Sequence, residues 1–141
     1  MARLPKNGDA QKGRAVFEGT CAPCHAVGSL GHRVGPDLTG VAHRSVEDLL
    51  SNILDPNMAI NPGFVAMEIE TRDGETQQGL LASETPEALT LLQAGGQRRI
   101  ISRREVVRMQ SSGQSLMPEG LETGKTPEQL RDLIAFLQAS P

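Results

Sequence analysis

The sequence predicts a mainly α fold interrupted by an antiparallel β meander or small barrel, and three features of the chain lead there. Helical periodicity marks Asp9 to about Gly19, Ser45 to Leu54, and Thr126 to Leu137. Between the second and third of these, from about residue 64 to 109, the apolar period falls to two and the turns become Asp-Gly and Gly-Gly. Ahead of that block stands Cys21-Ala22-Pro23-Cys24-His25, which uses both cysteines of the chain.

The length of 141 residues suits one domain. It is expected to span 1–141, with the β block inserted at about 64–109. The net charge of −3 offers no basic stripe to neutralise phosphates, so nucleic acid is excluded as a partner. No stretch approaches the roughly 18 apolar residues of a membrane span. The N-terminus MARLPKNGD lacks the apolar core of a secretory signal.

The elements follow in order. Asp9 offers an N-cap for the first helix, and Ala10, Gly13, Val16 and Phe17 share one face. A mid-helix glycine costs about 1 kcal/mol against alanine, so Gly13 is expected to admit another helix at close range. Ser45-Val46-Glu47-Asp48 opens the second helix in a capping-box-like pattern. Leu49, Leu50, Ile53 and Leu54 form its apolar face, and Asp55-Pro56 ends it.

From Phe64 to Thr71 alternation places Val65, Met67 and Ile69 on one side, and Asp73-Gly74 closes a hairpin. Gly79–Ala82, Leu89–Leu92 and Arg99–Ile101 continue as short strands. Val106, Val107 and Met109 fit either a last strand or a helical turn. Ser111 to Leu121 is a loop by composition. Thr126-Pro127-Glu128-Gln129 then opens the clearest helix, with Leu130, Leu133, Ile134 and Leu137 as its stripe.

A Cys-x-x-Cys-His pattern is the signature of covalent haem c attachment. Each thiol adds to one vinyl group, and the adjacent histidine is held under the iron. Three other readings compete. A dithiol redox pair needs a βαβ neighbourhood, which does not follow. A zinc site needs two more ligands, and the spacing of His32 and His43 is not that of a zinc finger. A disulfide here would close too short a loop to restrain much chain entropy. A buried porphyrin would also compensate a chain with three Phe and no Trp or Tyr, at about 25 cal/mol per Å² of apolar surface buried.

A ligand histidine usually donates its other ring N–H to a carbonyl, and one near Pro36, in the glycine-rich loop after the motif, is the best candidate. Otherwise Pro36 is a simple turn residue. For the opposite face of the iron the candidates are Met58, Met67, Met109, Met117, His32, His43 or nothing. Met67 suits strand packing, and methionine is often a core filler. Met117, among turn formers and before Pro118, has the strongest case, and Met58 in Asp55-Pro56-Asn57-Met58 is the next.

Taken together, Gly8-Asp9-Ala10 with Gly13 and Phe17, then CAPCH, GPDLTG, a Met-Pro loop and a final DLIAFL helix resemble class I cytochrome c. The resemblance implies a helical fold around one covalent haem c held by Cys21 and Cys24. The first and last helices would cross at Gly13, Phe17 and Phe136, with His25 as proximal ligand and Met117 as distal ligand. The strand-rich block lengthens the chain beyond an ordinary member of that family. With ILDPN, the DG hairpin and SLMPEGL, the whole resembles the C-terminal haem-binding domain of exported dehydrogenase-like proteins of planctomycetes and verrucomicrobia.

The expected function is one-electron transfer through a His/Met-ligated iron, from a dehydrogenase donor to a downstream acceptor, with no enzymatic activity of its own. A gas sensor or peroxidase with a labile distal methionine is the alternative. Thioether attachment takes place outside the bacterial cytoplasm. The chain is therefore expected to be periplasmic or otherwise exported, either as a mature domain from which the signal has been excised or as a segment of a longer exported protein. The edge strands of the insertion could dock a partner domain or a second copy of the chain, or the insertion could simply cover the haem edge.

Overall fold

The computed structural model describes residues 3–140. Among them lie three helices, α1 (Ala10–Thr20), α2 (Val46–Leu54) and α3 (Pro127–Ala139). A small hairpin, β1 (Ala26–Val27) and β2 (Leu30–Gly31), follows the CAPCH motif. The larger sheet comprises β3 (Val65–Thr71), β4 (Thr76–Glu84), β5 (Ala88–Gln93), β6 (Gln97–Ser102) and β7 (Val106–Ser115). Helix makes up 33% of the chain and strand 30%. A mainly α description therefore fits only the part around the motif, because the insertion carries almost as much regular structure.

The helices form where local chemistry favours them. Asp9 caps α1 by accepting the N–H groups of Gln11 and Lys12. Thr126 Oγ1 accepts from Gln129 N–H, and Gln129 Oε1 accepts in return from Thr126 N–H, a reciprocal box at the start of α3. The helices α1 and α3 then cross in backbone contact. A Cβ on Gly13 would stand 1.8 Å from the carbonyl oxygen of Asp132, so only glycine fits there. Beside the crossing the rings of Phe17 and Phe136 meet with centroids 5.3 Å apart, tilted by 43°. Phe17, Leu49, Ile53, Leu133, Ile134 and Leu137 form the helical core.

The large sheet is antiparallel throughout, in the order β6-β5-β4-β3-β7. The expected meander holds from β3 to β6. The last strand departs from it by returning to pair with β3, and it runs on to Ser115 through residues whose composition reads as loop. Pairing explains the difference: β3 supplies hydrogen bonds that composition cannot reveal. Ser112 Oγ also donates to the Ala66 carbonyl across a register shift.

The sheet must also curl. A flat sheet would set its outermost strands roughly 19 Å apart, at about 4.8 Å per step. Yet β6 and β7, at opposite ends of the order, are joined only by the 3-10 turn Arg103–Glu105. Even fully stretched, that link reaches about 14 Å. The sheet closes around its own core of Ile69, Leu89, Leu91 and Ile101, flanked by Met67 and Val106.

Two hydrogen bonds tie this sheet to the helical part. Gly95 N–H, in the β5–β6 turn, donates to the Pro23 carbonyl at 2.6 Å. Ser115 N–H, at the end of β7, donates to Asn57 Oδ1 at 2.8 Å. Among the described residues no helix is long and apolar enough to cross a membrane.

Candidate haem site

The CAPCH segment begins at the end of α1. Cys21 is the C-cap residue, with its N–H donating to the Phe17 carbonyl. The chain turns again at once: the N–H groups of Cys24 and His25 both donate to the Cys21 carbonyl, at 3.0 and 2.8 Å. Both cysteines and the histidine thus come from one tight turn. The thiols are free and half-buried. Burial pushes the Cys21 thiol up to about 11, partly offset by the nearby Lys125 ammonium and reinforced by Cys24. Burial raises the Cys24 thiol as well.

The ring of His25 is fixed from the following loop. Its Nδ1 lies 2.7 Å from the Pro36 carbonyl oxygen. A carbonyl can only accept, so Nδ1 carries the proton and Nε2 keeps a lone pair, the tautomer that a metal requires. Burial holds the imidazole pKa below its ordinary value, against the opposing pull of the Pro36 hydrogen bond.

The loop is itself stapled to the motif. The N–H groups of Val34 and Gly35 both donate to the Cys24 carbonyl, at 3.1 and 2.6 Å. Gly35 is needed beside the ring, because a Cβ there would lie 2.9 Å from His25 Cε1. Beyond Pro36, Thr39 N–H donates to Asp37 Oδ1, and Gly28 N–H donates to Thr39 Oγ1, both at 2.8 Å. The Thr39 hydroxyl and N–H, with help from Arg33, hold the Asp37 carboxyl below the usual carboxylate range.

The hairpin β1–β2 escaped sequence reading, since two-residue strands leave no periodicity. Its effect is to fold the chain back on the motif, where His32 N–H donates to the carbonyls of Ala22 and His25. The side chains of His32 and His43 are exposed, and His43 Nδ1 pairs with the Gly40 carbonyl at 2.8 Å. Among the described residues no group of three or more His, Cys, Asp or Glu side chains converges.

The methionines separate by environment. Met67 packs in the sheet's own core, and Met109, on β7, is 37% exposed. Met58 is 62% exposed. Met117 is half-buried and packs on the helical core that also takes up Cys21 and Ala22. Its N–H donates to Ser115 Oγ at 3.1 Å. Asn57 was missed in the sequence, where Asp55-Pro56-Asn57 reads only as a helix stop. Its Oδ1 accepts from Ser115 N–H, and its Nδ2 donates to Glu119 Oε1 at 2.9 Å.

These residues suit a haem. Two thiols and a lone-pair imidazole issue from one turn, and Ala22, Leu38, Val41, Leu50 and Met117 are half-buried apolar side chains on the adjoining core. That environment fits a macrocycle with apolar faces to bury.

A Cys-x-x-Cys-His turn at the end of the first of two crossing helices defines a c-type haem protein. The comparisons with known proteins agree: residues 10–94, well over half of the chain, match the family described as Cytochrome c. The chain belongs to the cytochrome c family. Haem c is the cofactor that goes with it, and Cys21 and Cys24 fit the attachment motif. Over 41 residues the chain is 46% identical to a cytochrome c-553-like protein of Synechocystis sp.. That match covers 29% of this chain and 38% of the relative's length.

Proposed function

We propose that this c-type cytochrome carries single electrons through a haem iron ligated by His25 and Met117. It would take them from a dehydrogenase and pass them to a downstream carrier outside the cytoplasm. The observation that carries the ligand assignment is the contrast between Met117 and Met58. Met117 is half-buried on the core shared with Cys21, whereas Met58 points into solvent. Bound haem c supplies a one-electron Fe(III)/Fe(II) couple whose potential Met/His ligation raises.

The chain's own residues do the rest. Cys21 and Cys24 anchor the group, and Pro36 holds the His25 ring in the tautomer that exposes Nε2. The core packed around Phe17 excludes water from one side. We read the whole chain as one domain with the sheet inserted in it. The dehydrogenase donor follows from the resemblance to exported dehydrogenase-like proteins.

The test is the absorption spectrum of haem-loaded protein beside that of a Met117→Ala variant. The native ferric form is expected to be low-spin with a weak methionine-to-iron band, both lost on substitution. A variant that keeps them sinks the assignment and moves it to Met58. A five-coordinate high-spin native protein, binding carbon monoxide rapidly when reduced, overturns the electron-transfer reading in favour of a sensor or peroxidase.

A further inference from the structure

The side chain of Asn57 spans the loop that carries Met117. Ser115 lies two residues before the methionine and Glu119 two after, and Asn57 bonds to both. The partners lie 58 and 62 positions away along the chain, across the whole sheet. Asn57 is itself well anchored. It follows the buried Pro56, in a turn closed by Met58 N–H donating to the Asp55 carbonyl, directly after the last turn of α2. A third bond inside the loop, from Met117 N–H to Ser115 Oγ, links the methionine to the clamped residue. A backbone N–H that loses a half-buried partner carries a desolvation cost, so the loop resists leaving Asn57.

We propose that Asn57 is a positioning residue that sets the Met117 thioether against the haem iron by gripping its loop on both sides. This rests on Met117 as the distal ligand. The amide is suited to the task because one group both accepts from a main-chain N–H and donates to a carboxylate. The grip runs from the end of α2, so the height of the methionine is referred to the helical core rather than to the sheet alone. It also opposes the detachment that a sensor or peroxidase would need.

The experiment uses haem-loaded protein and three readouts: the ferric methionine-to-iron band, the midpoint potential, and the affinity of the ferric form for azide. Asn57→Ala is expected to weaken the band, lower the potential and tighten azide binding about tenfold. Asn57→Asp keeps the acceptor for Ser115 N–H but sets two carboxylates face to face, and should shift all three readouts. The double variant Asn57→Asp/Glu119→Gln exchanges donor and acceptor and should restore them, which a merely structural role would not require.

An Asn57→Ala protein indistinguishable from native in all three, while Met117→Ala loses the band, overturns the clamp alone. A Met117→Ala protein that retains the band overturns the ligand assignment and the clamp with it. If Asn57→Ala does not fold, the exchange pair decides: failure of the double variant to recover the single variant's losses counts against the proposal.

Discussion

At Gly13 the backbones of α1 and α3 touch, and a single added methyl group tests whether that contact organises the helical core. By helix propensity alone, Gly13→Ala should gain about 1 kcal/mol. In place, the methyl would stand 1.8 Å from the Asp132 oxygen, 2.4 Å from its carbonyl carbon and 2.9 Å from Leu133 N. All three are main-chain atoms, so no rotamer change relieves the clash. Restoring a contact of about 3.2 Å moves α3 away by about 1.4 Å, and a gap of 0.5–1 Å already forfeits a quarter to a half of a dispersion well.

The Phe17–Phe136 pair and the packing of Leu133 and Ile134 lose contact together. Overpacking of this kind costs about 1–3 kcal/mol and occasionally more. Because every clashing atom is backbone, the upper end applies, and the net loss is about 2–3 kcal/mol. For a chain of this size that lowers the melting temperature by about 7–10 °C. Gly19, in the last turn of the same helix, has nothing within 4 Å of where an added methyl would stand, so Gly19→Ala should be neutral or slightly stabilising. Thermal unfolding of the haem-loaded proteins, followed by far-ultraviolet circular dichroism, makes the comparison. A Gly13→Ala protein that melts at or above the native temperature would refute the reasoning.

Two further effects follow from local chemistry. Thr126→Ala removes the reciprocal cap of α3 and should cost about 1 kcal/mol in urea unfolding, with Thr126→Ser recovering most of it. Asp37 has a folded pKa below its ordinary value, so its contribution is complete above about pH 4 and disappears as pH falls through the lowered value. Asp37→Asn should therefore be less stable than native protein at neutral pH, and the two urea midpoints should converge in strong acid. Curves that stay parallel into strong acid would count against that role.

What could be read from the sequence was local. Asp9, Ser45 and the Thr126-Pro127-Gln129 box mark helix starts because a cap acts on N–H groups two or three residues away. The stripe Leu130, Leu133, Ile134 and Leu137 is buried because 3.6-residue periodicity puts it on one face. The spacing of CAPCH is likewise fixed by one turn. What stayed hidden depends on partners far along the chain. Ser111 to Ser115 look like loop until β3 lies beside them. Asn57 looks like a helix stop until Ser115 and Glu119 close on it. Gly13 announces a close approach, but only the fold supplies Asp132 as the neighbour.

The pairing of Val65 with Ser115 has a consequence for how the molecule assembles. Paired residues on antiparallel strands lie about 5 Å apart, so the chain departs for the sheet and returns from it at almost the same point. Roughly 70 residues separate the end of α2 from the start of α3, but once the strands zip, the free connection shrinks to roughly 20. By loop-closure entropy that shortening eases the docking of α3 by about 1 kcal/mol. The sheet thus acts as a tether on the search by which the last helix finds the first, drawing together two segments that stand at opposite ends of the sequence.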